Sequence, residues 1–206
     1  MTFLTRCVAT LLASLGIGLG GTASAATLTY GFDTFGDGTS LSTQYAGLTF
    51  SHASVLKAGI SLNELAFPPR SGDGVLFDDG GPIEIGLGAL AHSVSVYVTY
   101  LEGLTLSAYD SNNNLLSSAT AAYLVNVADG SGDPGSSPNE LLTVSSADGL
   151  IARIVVASSA GGGSLTLDDL TIAGAAAAVP EPGTLPLLLA GLGAACWRRY
   201  RRPLRP

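Results

Sequence analysis

Between Ala26 and Val179 the chain carries fifteen acids (Asp33, Asp37, Glu64, Asp73, Asp78, Asp79, Glu84, Glu102, Asp110, Asp129, Asp133, Glu140, Asp148, Asp168 and Asp169) against three bases, Lys57, Arg70 and Arg153. Carboxylates in that excess are hard oxygen ligands, which suit Ca²⁺ better than transition metals. They also allow a carboxylate pair for glycoside hydrolysis, but no spacing singles one out. A net charge of -12 over this stretch excludes nucleic acid and anionic membrane surfaces as partners, because phosphate contacts need Lys and Arg. Nucleophilic catalysis has no visible parts. The stretch has no cysteine, no Gly-x-Ser-x-Gly elbow and no His-Glu-x-x-His pair. Its two histidines, His52 and His92, read as strand-end surface residues. No catalytic residue is assigned, and the chain is expected not to be an enzyme.

Ligand binding has a thinner basis. Sugar recognition favours flat aromatic platforms, and this stretch has no tryptophan. Its tyrosines are Tyr30, Tyr45, Tyr97, Tyr100, Tyr109 and Tyr123, for most of which a core role is expected. Tyr97 and Tyr100 stand an odd number apart, so in a regular strand they face opposite sides. Asn63 and Glu64, ahead of the stiff Pro68-Pro69, offer further oxygens; a turn with an exposed acid is the simpler reading.

The elements that must position these groups are short. Strands are expected at 27–32, 47–52, 54–58, 74–78, 83–87, 93–100, 104–110, 115–119, 122–127, 140–145, 151–157 and 164–172. Ser93 to Tyr100 alternates strictly, the pattern of a strand with one wet face. Asp110-Ser111-Asn112-Asn113-Asn114 is a turn. Many short strands with Gly, Asn, Asp and Ser between them predict an all-β sandwich or barrel. Asp129–Asn139, rich in Gly, Ser and Pro, is expected to be a mobile surface excursion.

The two ends differ in kind. Arg6, an apolar run from Cys7 to Gly21, and Ala23-Ser24-Ala25 predict a signal peptide over 1–25, cut before Ala26 by signal peptidase. A β domain over 26–174 follows. Over 175–206, a small-residue linker leads to Val179-Pro180-Glu181-Pro182-Gly183. An uncharged run over 185–197 and the basic cluster Arg198, Arg199, Arg201, Arg202 and Arg205 complete the tail. Pro180 and Pro182 keep their stretch extended and accessible. Thirteen residues rise about 20 Å as a helix, short of a hydrocarbon core of about 30 Å. The flanks make the case for a membrane segment. The arginines hold one end in the cytoplasm, Trp197 sits where an interfacial aromatic belongs, and arginine stems can snorkel.

In that order, the Pro-Glu-Pro triplet, apolar run and basic cluster of Val179–Arg202 resemble the PEP-CTERM sorting signal of exported bacterial proteins. The resemblance implies recognition by an exosortase, a membrane cysteine peptidase, and release or transfer at the surface of a Gram-negative cell that makes extracellular polysaccharide. It makes exosortase and signal peptidase the processing partners.

The middle resembles galactose-binding-like jelly rolls. Val94-x-Val96-x-Val98, Leu104 to Asp110 and Leu165 to Ile172 look like their successive strands, and Leu62-Asn63-Glu64 through Phe67 to Gly72 is similar to a motif of one such group. The expected fold is therefore all-β, a jelly-roll-like β-sandwich, with an N-terminal signal helix and a C-terminal short transmembrane helix. In calcium-stabilised jelly rolls an acid near the first strand meets one in the last. That likeness makes Asp33, Asp168 and Asp169 a candidate structural calcium site, with Gly36-Asp37-Gly38 able to add an oxygen. No D-x-D-x-D-G loop is present. The first functional expectation is a non-enzymatic surface or matrix protein associated with polysaccharide. A carbohydrate-binding module with a specific glycan and a hydrolase of extracellular polymer are the alternatives.

Overall fold

The computed structural model describes residues 26–159 and 162–174. The expected signal peptide, linker and transmembrane run and the sorting tail lie outside the described residues. Among the described residues there is no helix. Ten strands run β1 Thr27–Tyr30, β2 Leu48–Ser51, β3 Ala53–Lys57, β4 Gly74–Asp78, β5 Ile83–Tyr100, β6 Leu104–Tyr109, β7 Leu115–Thr120, β8 Glu140–Ser145, β9 Ile151–Ser158 and β10 Leu165–Gly174. Each ladder between them is antiparallel.

β5 organises the molecule, because it serves two layers. Its first part, around Ile83–Gly86, lies between β2 and β9. Its second part, around Ser93–Val98, lies between β8 and β10. Gly88, Ala89 and Leu90 between the two parts are exposed, and the register with β9 shifts between Gly86 and Ala91. A strand that bends at small residues can leave one sheet and enter the other. One layer is therefore β2-β5-β9-β6-β7. The other is β3-β4-β10-β5-β8, with β1 alongside β10. This is the all-β, jelly-roll-like sandwich that the strand pattern predicts.

Alternation builds the core. Leu104, Leu106 and Ala108 of β6 are buried while Thr105, Ser107 and Tyr109 are half-exposed. Ile85, Ile154 and Val156 from one layer join Val94, Val96, Val98 and Leu167 from the other in one cluster. Each such side chain contributes about 1.5–3 kcal/mol when fully buried. Tyr45 closes one end of the core. Its ring packs edge-on against Tyr30 and Phe35, both at 5.2 Å between centroids, and its hydroxyl donates to the Gly31 carbonyl. Burial holds the Tyr45 phenol above its ordinary range. Tyr100 is wholly buried and Tyr97 half-exposed, as their odd spacing requires.

Three sequence expectations change. Ile83–Leu87 and Ser93–Tyr100 are one strand, since Gly88–Leu90 bend without breaking the chain's extended course. Ala122–Val127 is no strand. Side chains take over the pairing a ladder would supply: Asp133 Oδ2 accepts the Leu124 and Val125 N–H groups, and Glu140 Oε1 accepts that of Ala122. The Asp129–Asn139 segment is pinned rather than loose. Asp133 N–H donates to the Val125 carbonyl at 2.9 Å, and the Asn139 side chain reaches the Pro68 carbonyl at 3.1 Å.

Candidate functional site

The structure brings Asp33, Asp168 and Asp169 to one corner, around the loop Arg70–Gly74. A bulge in β10 makes this possible. The register with β5 shifts between Asp168 and Thr171, and Asp169 takes a left-handed φ of 48°. Neighbours on a regular strand would face opposite sides. Here Asp168 Oδ2 accepts the N–H groups of Arg70 and Ser71 at 2.8 and 3.0 Å, and Asp169 Oδ1 accepts the Ser71 hydroxyl at 2.8 Å. Asp33 Oδ1 accepts the N–H groups of Asp73 and Gly74 at 2.7 and 2.9 Å. Lys57 ties in from β3, donating to the Asp33 carbonyl at 2.7 Å and pairing with Asp73. The Asp33 carboxylate fills the space that a Cβ on Gly72 would need.

Asp168 is 2% exposed, and its burial pushes the carboxyl up to about 6. The surrounding amides pull the other way, and the charge of Asp169 adds to the rise. As a metal site the corner is incomplete. Asp33 Oδ2 and Asp169 Oδ1 both lie beside Gly31, yet among the described residues no group of three acids or imidazoles is gathered as for an ion. Asp37 serves elsewhere, accepting the Lys57 N–H at 2.8 Å. Asn63 and Glu64 stay exposed in their own turn, with Glu64 accepting the Gly59 N–H at 3.2 Å.

The acids thus share a task that composition does not show. Nine of the fifteen (Asp33, Asp37, Glu64, Asp78, Asp110, Asp129, Asp133, Glu140 and Asp168) accept backbone N–H groups. In a domain without disulfides, these carboxylates fix the loops. The histidines show no catalytic arrangement. His52 Nδ1 lies 3.3 Å from the Asp79 carbonyl in the β2–β3 turn. His92 Nδ1 lies 3.2 Å from the Ser146 carbonyl and sits within β5 rather than at a strand end.

A cleft of about 540 Å³ opens on the outer face of the other layer. Thr49, Gly86, Arg153 and Tyr109 stand side by side there on β2, β5, β9 and β6. Gly86 contributes no side chain, so the row is interrupted, and the Thr49 hydroxyl leans into the gap. The Arg153 guanidinium lies 4.5 Å from the Tyr109 ring centroid. It donates to Glu84 Oε2 at 3.1 Å and to Asn113 Oδ1 at 3.2 Å. Asn113 holds a φ of 63° in a turn built by Asp110, which accepts the Asn112 and Asn114 N–H groups, both at 2.8 Å. Those bonds, the Asn114 side chain's foremost, hold the Asp110 carboxyl below its ordinary range. Thr43, Tyr45, Ala46 and Gly47 also line the cleft. Sequence reasoning did not find this site. Its one signal was that Arg153 is among only three bases in the domain.

The sorting tail is decided by comparison. Residues 178–202 match the PEP-CTERM protein-sorting motif. The motif marks the chain for export and for processing at the membrane. No curated protein matches the chain. Solved structures are similar at the level of fold alone. The K2 cleaved adhesin domain of Lys-gingipain is 12% identical, with a TM-score of 0.46 over 71% of this chain and 99% of that one. A point variant of a family 29 carbohydrate-binding module is 12% identical, with a TM-score of 0.40 over 77% and 99%. A family 6 module of Clostridium stercorarium in complex with cellobiose is 13% identical, with a TM-score of 0.37 over 76% and 100%.

Proposed function

We propose that the chain is an exported protein that signal peptidase and exosortase process, and whose β-sandwich works at the cell surface or in the extracellular matrix. It is anchored in the inner membrane only until the tail is cut. It associates with extracellular polysaccharide and does not catalyse its turnover. The observation that carries this reading is the sorting motif at 178–202. Deleting Val179–Pro206 is expected to leave a soluble periplasmic species. If truncated and full-length chains partition alike, the sorting reading is wrong. A glycan array tests the association, and a hydrolysis assay on the glycans that bind tests the absence of turnover.

A structural calcium ion at the Asp33–Asp169 corner belongs to the same proposal. The acidity of the domain and the placing of Asp33 Oδ2 and Asp169 Oδ1 beside Gly31 support it; carbonyl oxygens would have to complete the shell. An ion bound only by the native state stabilises by mass action. EDTA is then expected to lower the melting temperature by several degrees. An unchanged melting temperature, with calcium confirmed absent after chelation, rejects the ion.

A further inference from the structure

The cleft at Gly86 has features of a small-ligand site. Its volume of about 540 Å³ falls within the range of roughly 300–1,000 Å³ usual for such sites. Its polar groups converge from separate elements. Arg153 comes from β9, Asn113 and Asp110 from the β6–β7 turn, and Thr49 from β2. They are also preorganised. Arg153 lies over the Tyr109 ring and is clamped by Glu84 and Asn113.

Part of their hydrogen-bonding capacity is unspent. A guanidinium has five N–H donors, and Arg153 commits one to Glu84 and one to Asn113. Asn113 uses its oxygen on Arg153, and its amide nitrogen has no partner among the described residues. Asp110 Oδ1 is taken by the Asn112 and Asn114 N–H groups and Oδ2 accepts the Asn114 side chain, which leaves one lone pair of Oδ2 as an acceptor in the same wall. The backbone of Gly86 and Gly88 with Leu87 lines the floor, where the Thr49 hydroxyl occupies the space beside Gly86 and the Gly47 backbone that beside Gly88. Donors, an acceptor and the Thr49 hydroxyl around one cleft fit a ligand that bears several hydroxyls.

Charge narrows the class. Arg153 and Asp110 are the charged residues of the lining, and the Arg153 cation is also paired with Glu84 beside it, so the cleft carries no net positive charge. A carboxylate or phosphate on the ligand would find no uncompensated cation there, which disfavours it. We infer that this cleft binds an uncharged pyranose unit of a neutral glycan, with Arg153, Asn113 and Asp110 taking its hydroxyls. The inference rests on the polysaccharide reading above and adds a place and a charge class to it.

The test uses the full chain in a sugar-free detergent, titrated calorimetrically with cellohexaose, xylohexaose, mannohexaose and oligogalacturonate. Asn113→Gly keeps the left-handed φ and removes the amide. Arg153→Lys keeps the cation and removes the fork. Arg70→Lys, on the other layer, is the control. At least one neutral hexaose is expected to bind the wild type. The two cleft variants are expected to weaken it about 5- to 10-fold each, the scale of a lost directional hydrogen bond, with Arg70→Lys unchanged and melting temperatures preserved. If a neutral hexaose binds and both cleft variants bind it equally well, the cleft inference is overturned and the polysaccharide reading survives. If oligogalacturonate binds in preference, the charge class is overturned. If no glycan binds the wild type, the polysaccharide reading falls and this inference falls with it.

Discussion

The backbone N–H of Gly174 donates to the carbonyl of Ala26 at 3.0 Å, so the two ends of the β domain leave it from adjacent positions. The pairing continues inward, with Thr29 opposite Thr171 and their hydroxyls 3.0 Å apart. β10 is also central to its layer, lying between β4 and β5. The domain is therefore closed by its last strand.

That arrangement predicts a sharp boundary. Ending the chain after Gly174 should leave the domain's melting temperature within about 2 °C of the uncut value. Ending it after Asp169 removes the buried Leu170 and Ile172 and deprives β1 of its partner. Those two side chains alone are worth about 3–6 kcal/mol, a large part of ordinary domain stability. Calorimetry of the two truncations should show a cooperative transition only in the longer one.

Asp168 makes stability depend on pH in an unusual direction. The folded carboxyl titrates near pH 6, and the unfolded one near 3.9. Between those values the folded state holds the extra proton. The stabilisation is therefore complete below about pH 4 and is lost as pH rises through 6, by at most about 3 kcal/mol. Burial raises Asp78 in the same sense. The carboxyls of Asp73, Asp110 and Asp129 are lowered by hydrogen bonds, so their contribution disappears as pH falls below about 4. Guanidinium midpoints measured in EDTA should peak near pH 4–5 and fall by pH 7. Asp168→Asn should be less stable at pH 4, because an amide nitrogen in place of either oxygen cannot accept, and Oδ1 takes the Asp169 N–H while Oδ2 takes those of Arg70 and Ser71; it should also show a flatter slope from 4 to 6. A midpoint that rises from pH 5 to 7 would contradict the placement of Asp168.

Gly72 tests the loop that the acids hold. It has a φ of 55°, and a Cβ there would occupy the Asp33 carboxylate. Gly72→Ala therefore meets both backbone strain and a clash with a side chain that is itself holding Asp73 and Gly74. A loss of roughly 2–4 kcal/mol is expected, lowering the melting temperature by about 10 °C. Gly38→Ala, also at positive φ but with nothing within 4 Å of its Cβ, should cost only the strain. Equal losses at both positions would show that the Asp33 contact is not what Gly72 protects.

The strands were legible because burial on one face leaves a period of two in the sequence. Ser93–Tyr100 and Leu104–Tyr109 carried that period without interruption. The Asp110–Asn114 turn was legible because an aspartate bonding amides two and four residues ahead is a local device. The grouping of Asp33, Asp168 and Asp169 came from the jelly-roll likeness, and the contacts that join them were not legible, for the opposite reason. Asp168 reaches Arg70 and Ser71 across 98 and 97 residues, and only the bulge at Asp169 turns both acids the same way. The cleft depends on Thr49, Gly86, Arg153 and Tyr109 falling into one row. Registers between four strands leave no mark on any of them separately. The 122–127 run misled because its composition is that of a strand, while Asp133, Glu140 and Asn126 supply its pairing from side chains.

Asn126 gives the most direct test of that substitution of side chain for ladder. It is wholly buried. Its Oδ1 accepts the Tyr100 N–H at 2.7 Å, its Nδ2 donates to the Val98 carbonyl at 3.0 Å, and its own N–H donates to the Tyr100 carbonyl at 3.0 Å. The amide thus completes the end of β5 as a neighbouring strand would. Asn126→Ala strands one donor and one acceptor in the core, at about 1–3 kcal/mol each. Asn126→Asp keeps the acceptor, loses the donor and places a carboxylate against the Val98 carbonyl. Burial disfavours its charge, so this variant should be weaker than wild type at pH 7 and recover part of the loss near pH 4, where the protonated oxygen can donate. Asn126→Ala should show no such recovery relative to wild type. Melting curves of the three proteins at the two pH values measure this, and a pH-independent penalty for Asn126→Asp would place the amide in water rather than in the core.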